Sequence, residues 1–79
     1  MNEQLFSEIK EMMIEELGVD ENLINPDAAL SADLNINSLE MLNVITATEE
    51  KYDISLEEDR LHLIQTVGDY VYYVNETIG

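Results

Sequence analysis

Ser38 is the side chain best placed to carry chemistry in this sequence. It follows Asn37, and Asn37 with Glu40 three residues later reads as a capping box, in which each side chain takes a backbone N–H left unpaired at a helix start. With Asn37 as the cap, the Ser38 hydroxyl is spared that duty. It stands in the first turn beside unpaired N–H groups and the positive end of the helix dipole. An oxygen there is a favourable place for a phosphate ester, whose charge meets that field. The plain alternative is a spare polar residue at a helix start.

Other reactive side chains are few. The one histidine, His62, has no second imidazole to share a metal with, and it is expected as a partly exposed residue at the end of a short helix. There is no cysteine, hence no disulfide and no thiolate site. The acidic clusters Glu15-Glu16, Asp20-Glu21, Glu49-Glu50 and Glu57-Glu58-Asp59 lack the Asp-x-Asp-x-Asp-Gly loop of a calcium site, so no dedicated metal site is expected. No catalytic residue is assigned, and a stand-alone enzyme is disfavoured.

The elements that must hold Ser38 follow from periodicity and start signals. Leu5, Phe6, Ile9, Met12, Met13 and Leu17 recur at helical steps, with Glu8, Glu11 and Glu15 opposite, which predicts a first helix ending near Gly18. From Val19 to Ile36 the turn-forming residues Asn22, Asn25, Pro26, Asp27, Ser31 and Asp33 predict a long loop. Its Leu23, Ile24, Leu30 and Leu34 should touch the core. Three further helices, over Ser38–Tyr52, Leu56–Leu61 and Val67–Glu76, are predicted by the capping boxes or box-like pairs Asn37 with Glu40, Ser55 with Glu58 and Thr66 with Asp69. Val67, Tyr70, Val71 and Val74 make one apolar stripe on the last. Tyr72 and Tyr73 read as boundary or core residues. The expected fold is all-α: one domain over residues 1–79, a small four-helix bundle of three longer helices and one short one.

Composition narrows the partners. Among 79 residues, 18 are Asp or Glu and 3 are Lys or Arg, a formal charge of −15. That charge disfavours nucleic acid and anionic membrane surfaces, and with 46% hydrophobic residues the chain still has material for a core. No segment approaches the ~20 apolar residues of a membrane span, and the acidic start lacks a secretory n-region, so a cytoplasmic monomer is expected. On the second helix Met41, Val44, Ile45, Thr48 and Tyr52 share the core face. Leu39, Leu42 and Thr46 are left outside it, near Ser38 and bordered by Glu40, Glu49 and Glu50. Such an apolar centre with an acidic rim suits docking by a basic partner.

With these residues in view, Asp33-Leu34-Asn35-Ile36-Asn37-Ser38-Leu39, followed by an acidic amphipathic helix ending Glu49-Glu50-Lys51-Tyr52-Asp53, resembles the acyl carrier protein family. The family's motif Asp-Leu-Gly-x-Asp-Ser-Leu is matched at Asp33, Leu34, Ser38 and Leu39. The similarity runs over nearly the whole chain, including Leu17-Gly18-Val19, the long loop, and Thr66-Val67 opening a helix with Tyr70 and Tyr73. The resemblance implies that Ser38 carries 4′-phosphopantetheine, installed from coenzyme A by a phosphopantetheinyl transferase, with acyl groups held as thioesters. It implies docking to basic patches on acyl-processing enzymes through Leu39, Glu40, Leu42, Thr46, Glu49 and Glu50, with Asn37 at the edge. It also implies an acyl shelter between helices, for which Met41, Ile45, Ile64 and Tyr73 are the candidates.

Two motif positions differ. Asn35 stands for glycine; asparagine tolerates left-handed backbone angles better than most residues, so the turn is expected to form. Asn37 stands for aspartate, which removes a charge that would face the transferase, and Asn43 stands where many carriers have glutamate. Both thin the acidic rim and point to a partner set unlike that of a housekeeping fatty-acid carrier. The alternative is an unmodified, carrier-like fold used for regulatory or structural binding.

Overall fold

Asn2 starts the first helix: its Oδ1 accepts the Leu5 N–H at 3.0 Å. The helix, α1, spans Glu3–Leu17 and ends at Gly18, whose φ of 68° lets its N–H reach the Ile14 carbonyl at 2.9 Å. The structure, a computed structural model, describes residues 1–79 apart from the side chain of Glu58. After α1 come a 3₁₀ turn at Glu21–Leu23, α2 at Ser38–Tyr52, α3 at Glu58–Leu61 and α4 at Val67–Ile78. The bundle is thus all-α, with three longer helices and one short one.

Helices α2 and α4 both pack on α1. Leu5, Ile9, Met12 and Met13 of α1 meet Val44 and Ile45 of α2 and Val67, Tyr70, Val71, Tyr73 and Val74 of α4 in one buried cluster. Within it Thr48 is a buried polar residue, and its hydroxyl is fully used. It donates to the Val44 carbonyl at 2.7 Å and accepts from the Tyr70 hydroxyl at 2.8 Å. A buried hydroxyl paired in this way escapes the desolvation penalty of an orphan. Burial pushes the Tyr70 phenol well above its ordinary pKa.

The loop between α1 and α2 is held down by backbone bonds to the start of α4. Gly68 N–H donates to the Pro26 carbonyl at 2.9 Å, Val67 N–H to that of Ala28 at 3.0 Å, and Leu30 N–H to that of Gln65 at 2.9 Å. Ala29 and Thr66 form an isolated antiparallel bridge. Gly68 is required by this approach: a Cβ there would lie 2.8 Å from the Pro26 oxygen. Ile24, Leu30 and Leu34 are buried as expected.

Several expectations need correction. Leu23 faces solvent, 51% exposed, because the 3₁₀ turn directs Ile24 inward instead. Helix α3 begins at Glu58 with Glu57, not Ser55, at the cap position and no side-chain cap bond there; the Glu58 side chain of the expected box lies outside the described residues, and Leu56, expected as the first helical residue, is a buried loop residue. The loop N–H of Leu56 goes to Glu49 Oε2 at 2.8 Å and that of Glu57 to the Tyr73 hydroxyl at 2.7 Å, so tertiary partners replace the local cap. Glu8, placed on the solvent side, accepts from the Tyr52 hydroxyl. That bond holds the Glu8 carboxyl below its ordinary range, while burial and the carboxylate raise the Tyr52 phenol.

Candidate functional site

The turn that delivers Ser38 is built on Asn35, whose φ is 56°, in the left-handed region. Asparagine accepts this conformation where most residues resist it. The turn lets Ile36 N–H reach the Leu30 carbonyl at 2.9 Å, buries the Ile36 side chain, and brings Asn37 to the helix start. Asp33, four residues after Ala29, braces the same loop by accepting the Ala29 N–H at 2.7 Å.

Asn37 and Glu40 form the reciprocal box. Glu40 N–H donates to Asn37 Oδ1 at 2.8 Å, and Asn37 N–H donates to Glu40 Oε1 at 3.1 Å. The helix-start N–H groups that remain without an intrahelical acceptor are those of Ser38 and Leu39. Ser38 is exposed, and its hydroxyl has no hydrogen-bond partner among the described residues. Two cavities open beside it. One, of about 390 Å³, lies toward the long loop and includes Leu30, Ile36, Met41, Leu61 and Ile64. The other, of about 400 Å³, includes Met41, Leu42, Ile45, Leu61 and His62.

Of the four pocket candidates, Met41 and Ile64 share the first cavity with Ser38, and Met41 and Ile45 share the second. Tyr73 lines neither. Its ring lies under the Arg60 guanidinium, 4.8 Å from centroid to carbon, and its hydroxyl serves the Glu57 backbone. It belongs to the α3–α4 contact. Leu30, Ile36, Leu61 and His62 were not assigned to this site from sequence, since only the folding of the loop and α3 onto α2 brings them to Ser38.

The outer face of α2 carries Leu39, 75% exposed, and Leu42, 45% exposed, together with exposed Asn37, Thr46 and Glu50. The two other acids of the expected rim are partly engaged within the chain: Glu40 in the capping box and Glu49 at the Leu56 N–H. Both are half-buried. Among the described residues, no three acidic or histidine side chains cluster to hold a metal.

The family model PP-binding, described as phosphopantetheine attachment site, matches residues 7–74. The chain belongs to the acyl carrier protein family. An acyl carrier protein of Picosynechococcus sp. is 33% identical over 79 residues, all of this chain and 98% of that one. One of Thermotoga maritima is 34% identical over 77 residues, 98% of this chain and 95% of the relative. A third, of Sulfurovum sp., is 34% identical over 70 residues, 89% of this chain and 93% of the relative. Members of this family are carriers, not catalysts, and membership implies a covalently attached 4′-phosphopantetheine. The start of α2 in this carrier fits such a group: an exposed hydroxyl, two free N–H donors beside it and open space on both sides. No helix among the described residues is long and apolar enough to cross a membrane.

Proposed function

We propose that Ser38 is the residue to which 4′-phosphopantetheine is joined, and that residues 1–79 act as one carrier domain of fatty-acid or related biosynthesis. The observation that carries this reading is the exposed Ser38 hydroxyl, left free because Asn37 and Glu40 do the capping. Bound there, the group supplies a terminal thiol that holds acyl chains as thioesters. The chain's own contribution is to present that attachment point and to hold the phosphate beside the Ser38 and Leu39 N–H groups.

Partner recognition falls to the outer face of α2. Leu39 and Leu42 provide the apolar contact, Thr46 and Asn37 the polar edge, and Glu40, Glu49 and Glu50 the negative charge that attracts basic patches on the transferase and on acyl-processing enzymes. Because Glu40 and Glu49 also serve internal bonds, Glu50 is the acid freest to meet a partner. Met41, Ile45 and Ile64 form the apolar walls next to Ser38 against which an acyl chain is sheltered. The carrier acts as a cytoplasmic monomer, its charge of −15 opposing self-association.

Intact-protein mass spectrometry after incubation with coenzyme A, magnesium and a phosphopantetheinyl transferase tests the assignment. One phosphopantetheinyl group should be added to the wild-type chain and none to Ser38→Ala. An increment that survives Ser38→Ala defeats the assignment of Ser38, and none with several transferases favours the unmodified binding module instead.

A further inference from the structure

Ser38 and His62 line the same cavity, with Met41, Leu42, Ile45 and Leu61 completing its wall. Every member of that wall other than Ser38 and His62 is apolar. His62 is therefore the one ionisable residue lining the cavity among the described residues. The other basic side chains lie elsewhere: Lys10 is on α1, Lys51 lies 5.9 Å from the Tyr52 ring centroid at the end of α2, and Arg60 is 3.6 Å from Glu76.

We propose that His62, which lines one cavity with Ser38, is an anion contact for the phosphodiester carried on Ser38, a contact that strengthens as the imidazole gains a proton. The proposal rests on the reading of Ser38 as the attachment residue. In a chain of formal charge −15, a phosphodiester meets repulsion over most of the surface, and a cation at the point of attachment offsets it locally.

Among the described residues, the charged groups on the surrounding elements leave His62 as the source of a pH response. Glu40 on α2 accepts from the Asn37 N–H, and Asp33 in the loop accepts from the Ala29 N–H. On α3, Arg60 is turned to Glu76 and Tyr73, and Asp59 is exposed. None of these four lines the cavity.

A phosphodiester keeps a single negative charge across the range, about pH 5 to 8, in which an imidazole changes its own. The attraction is one free energy read from two sides: the anion favours the protonated ring, and the protonated ring favours the nearby anion. The contact is strongest with the ring protonated and weakens when the ring is neutral.

The test compares the unmodified chain with the chain converted by coenzyme A and transferase, with conversion at Ser38 verified by mass. Proton NMR of the His62 ring should give a titration midpoint higher in the modified chain by roughly 0.3–0.7 pH unit, the size expected of a solvent-exposed ion pair. The phosphorus NMR signal of the diester should move with that same midpoint, and should be flat over this range in His62→Gln. His62 is exposed, so the substitution leaves the core intact. Equal midpoints in the two forms, or a phosphorus titration that survives His62→Gln, overturns the proposal while leaving the attachment site standing. Failure to gain the group overturns the assignment of Ser38 and the proposal together, and mass alone separates that outcome from the others.

Discussion

Asn35 bears the backbone cost of presenting Ser38. At φ 56° it holds a conformation that a β-branched residue adopts only under strain of about 1–3 kcal/mol, whereas glycine adopts it freely but loses more chain entropy on folding. Asn35→Val is therefore expected to lower unfolding free energy by about 1–3 kcal/mol, and Asn35→Gly to change it by no more than ~0.5 kcal/mol. Urea unfolding of both variants checks this; equal stability of the valine variant and the wild type would show that the turn relaxes to another conformation. The left-handed angle was legible from the asparagine in a glycine position. The side-chain work of Asp33 and Glu49 was not, because each braces a backbone N–H whose position depends on how a loop folds.

At the scale of elements, α4 anchors both its own start and the long loop. Thr66 and Asp69 form its capping box, with Asp69 Oδ2 accepting from the Gln65 and Thr66 N–H groups at 3.1 Å each. Those two backbone bonds, Gln65 first, hold the Asp69 carboxyl below its ordinary pKa. A carboxyl whose pKa is lower in the folded state stabilises it above the unfolded value, near 3.9, and loses that contribution as pH falls through the folded value. Asp69→Asn, which mimics the protonated acid, should cost ~0.3–1 kcal/mol at neutral pH, and the gap to wild type should close below about pH 4. Parallel thermal melts across that range measure it. A gap unchanged by acid would mean that the charge contributes nothing and that the amide falls short of the neutral acid for another reason; no gap at neutral pH would mean that the amide suffices. The boxes at α2 and α4 were readable as short-range patterns. The pattern at Ser55 has the same form, yet the cap position falls at Glu57: Glu49 and Tyr73 meet the N–H groups of Leu56 and Glu57, and the helix begins only at Glu58.

For the whole molecule, charge dominates. With 18 acidic side chains and 3 Lys or Arg on a body whose principal extents are 28 × 25 × 20 Å, self-repulsion opposes the folded state. The one salt bridge among the described residues, Arg60 with Glu76, is exposed on both sides and offsets little of it. Raising salt from low concentration to ~0.15 M, or adding magnesium, should raise the melting temperature through screening. A melting temperature flat or falling over that interval would place the balance in local pairs instead. The same field that weakens the fold speeds encounter with basic partners, so docking through α2 should weaken with salt as stability rises.

The amino-acid sequence alone determined the helix order, the start of α2 and α4, the exposure of Ser38, Leu39 and Leu42, and the family motif around Ser38. These are short-range or periodic properties, set by capping chemistry and by which residues share a helix face. Tertiary packing decided the rest. It bridged Ala29 to Thr66, moved Tyr73 away from the serine, drew Glu49 into the α2–α3 connection and brought His62 to the cavity of Ser38. Each of those contacts joins residues far apart along the chain or across a loop, where no local pattern sets the distance and only the fit of packed surfaces does.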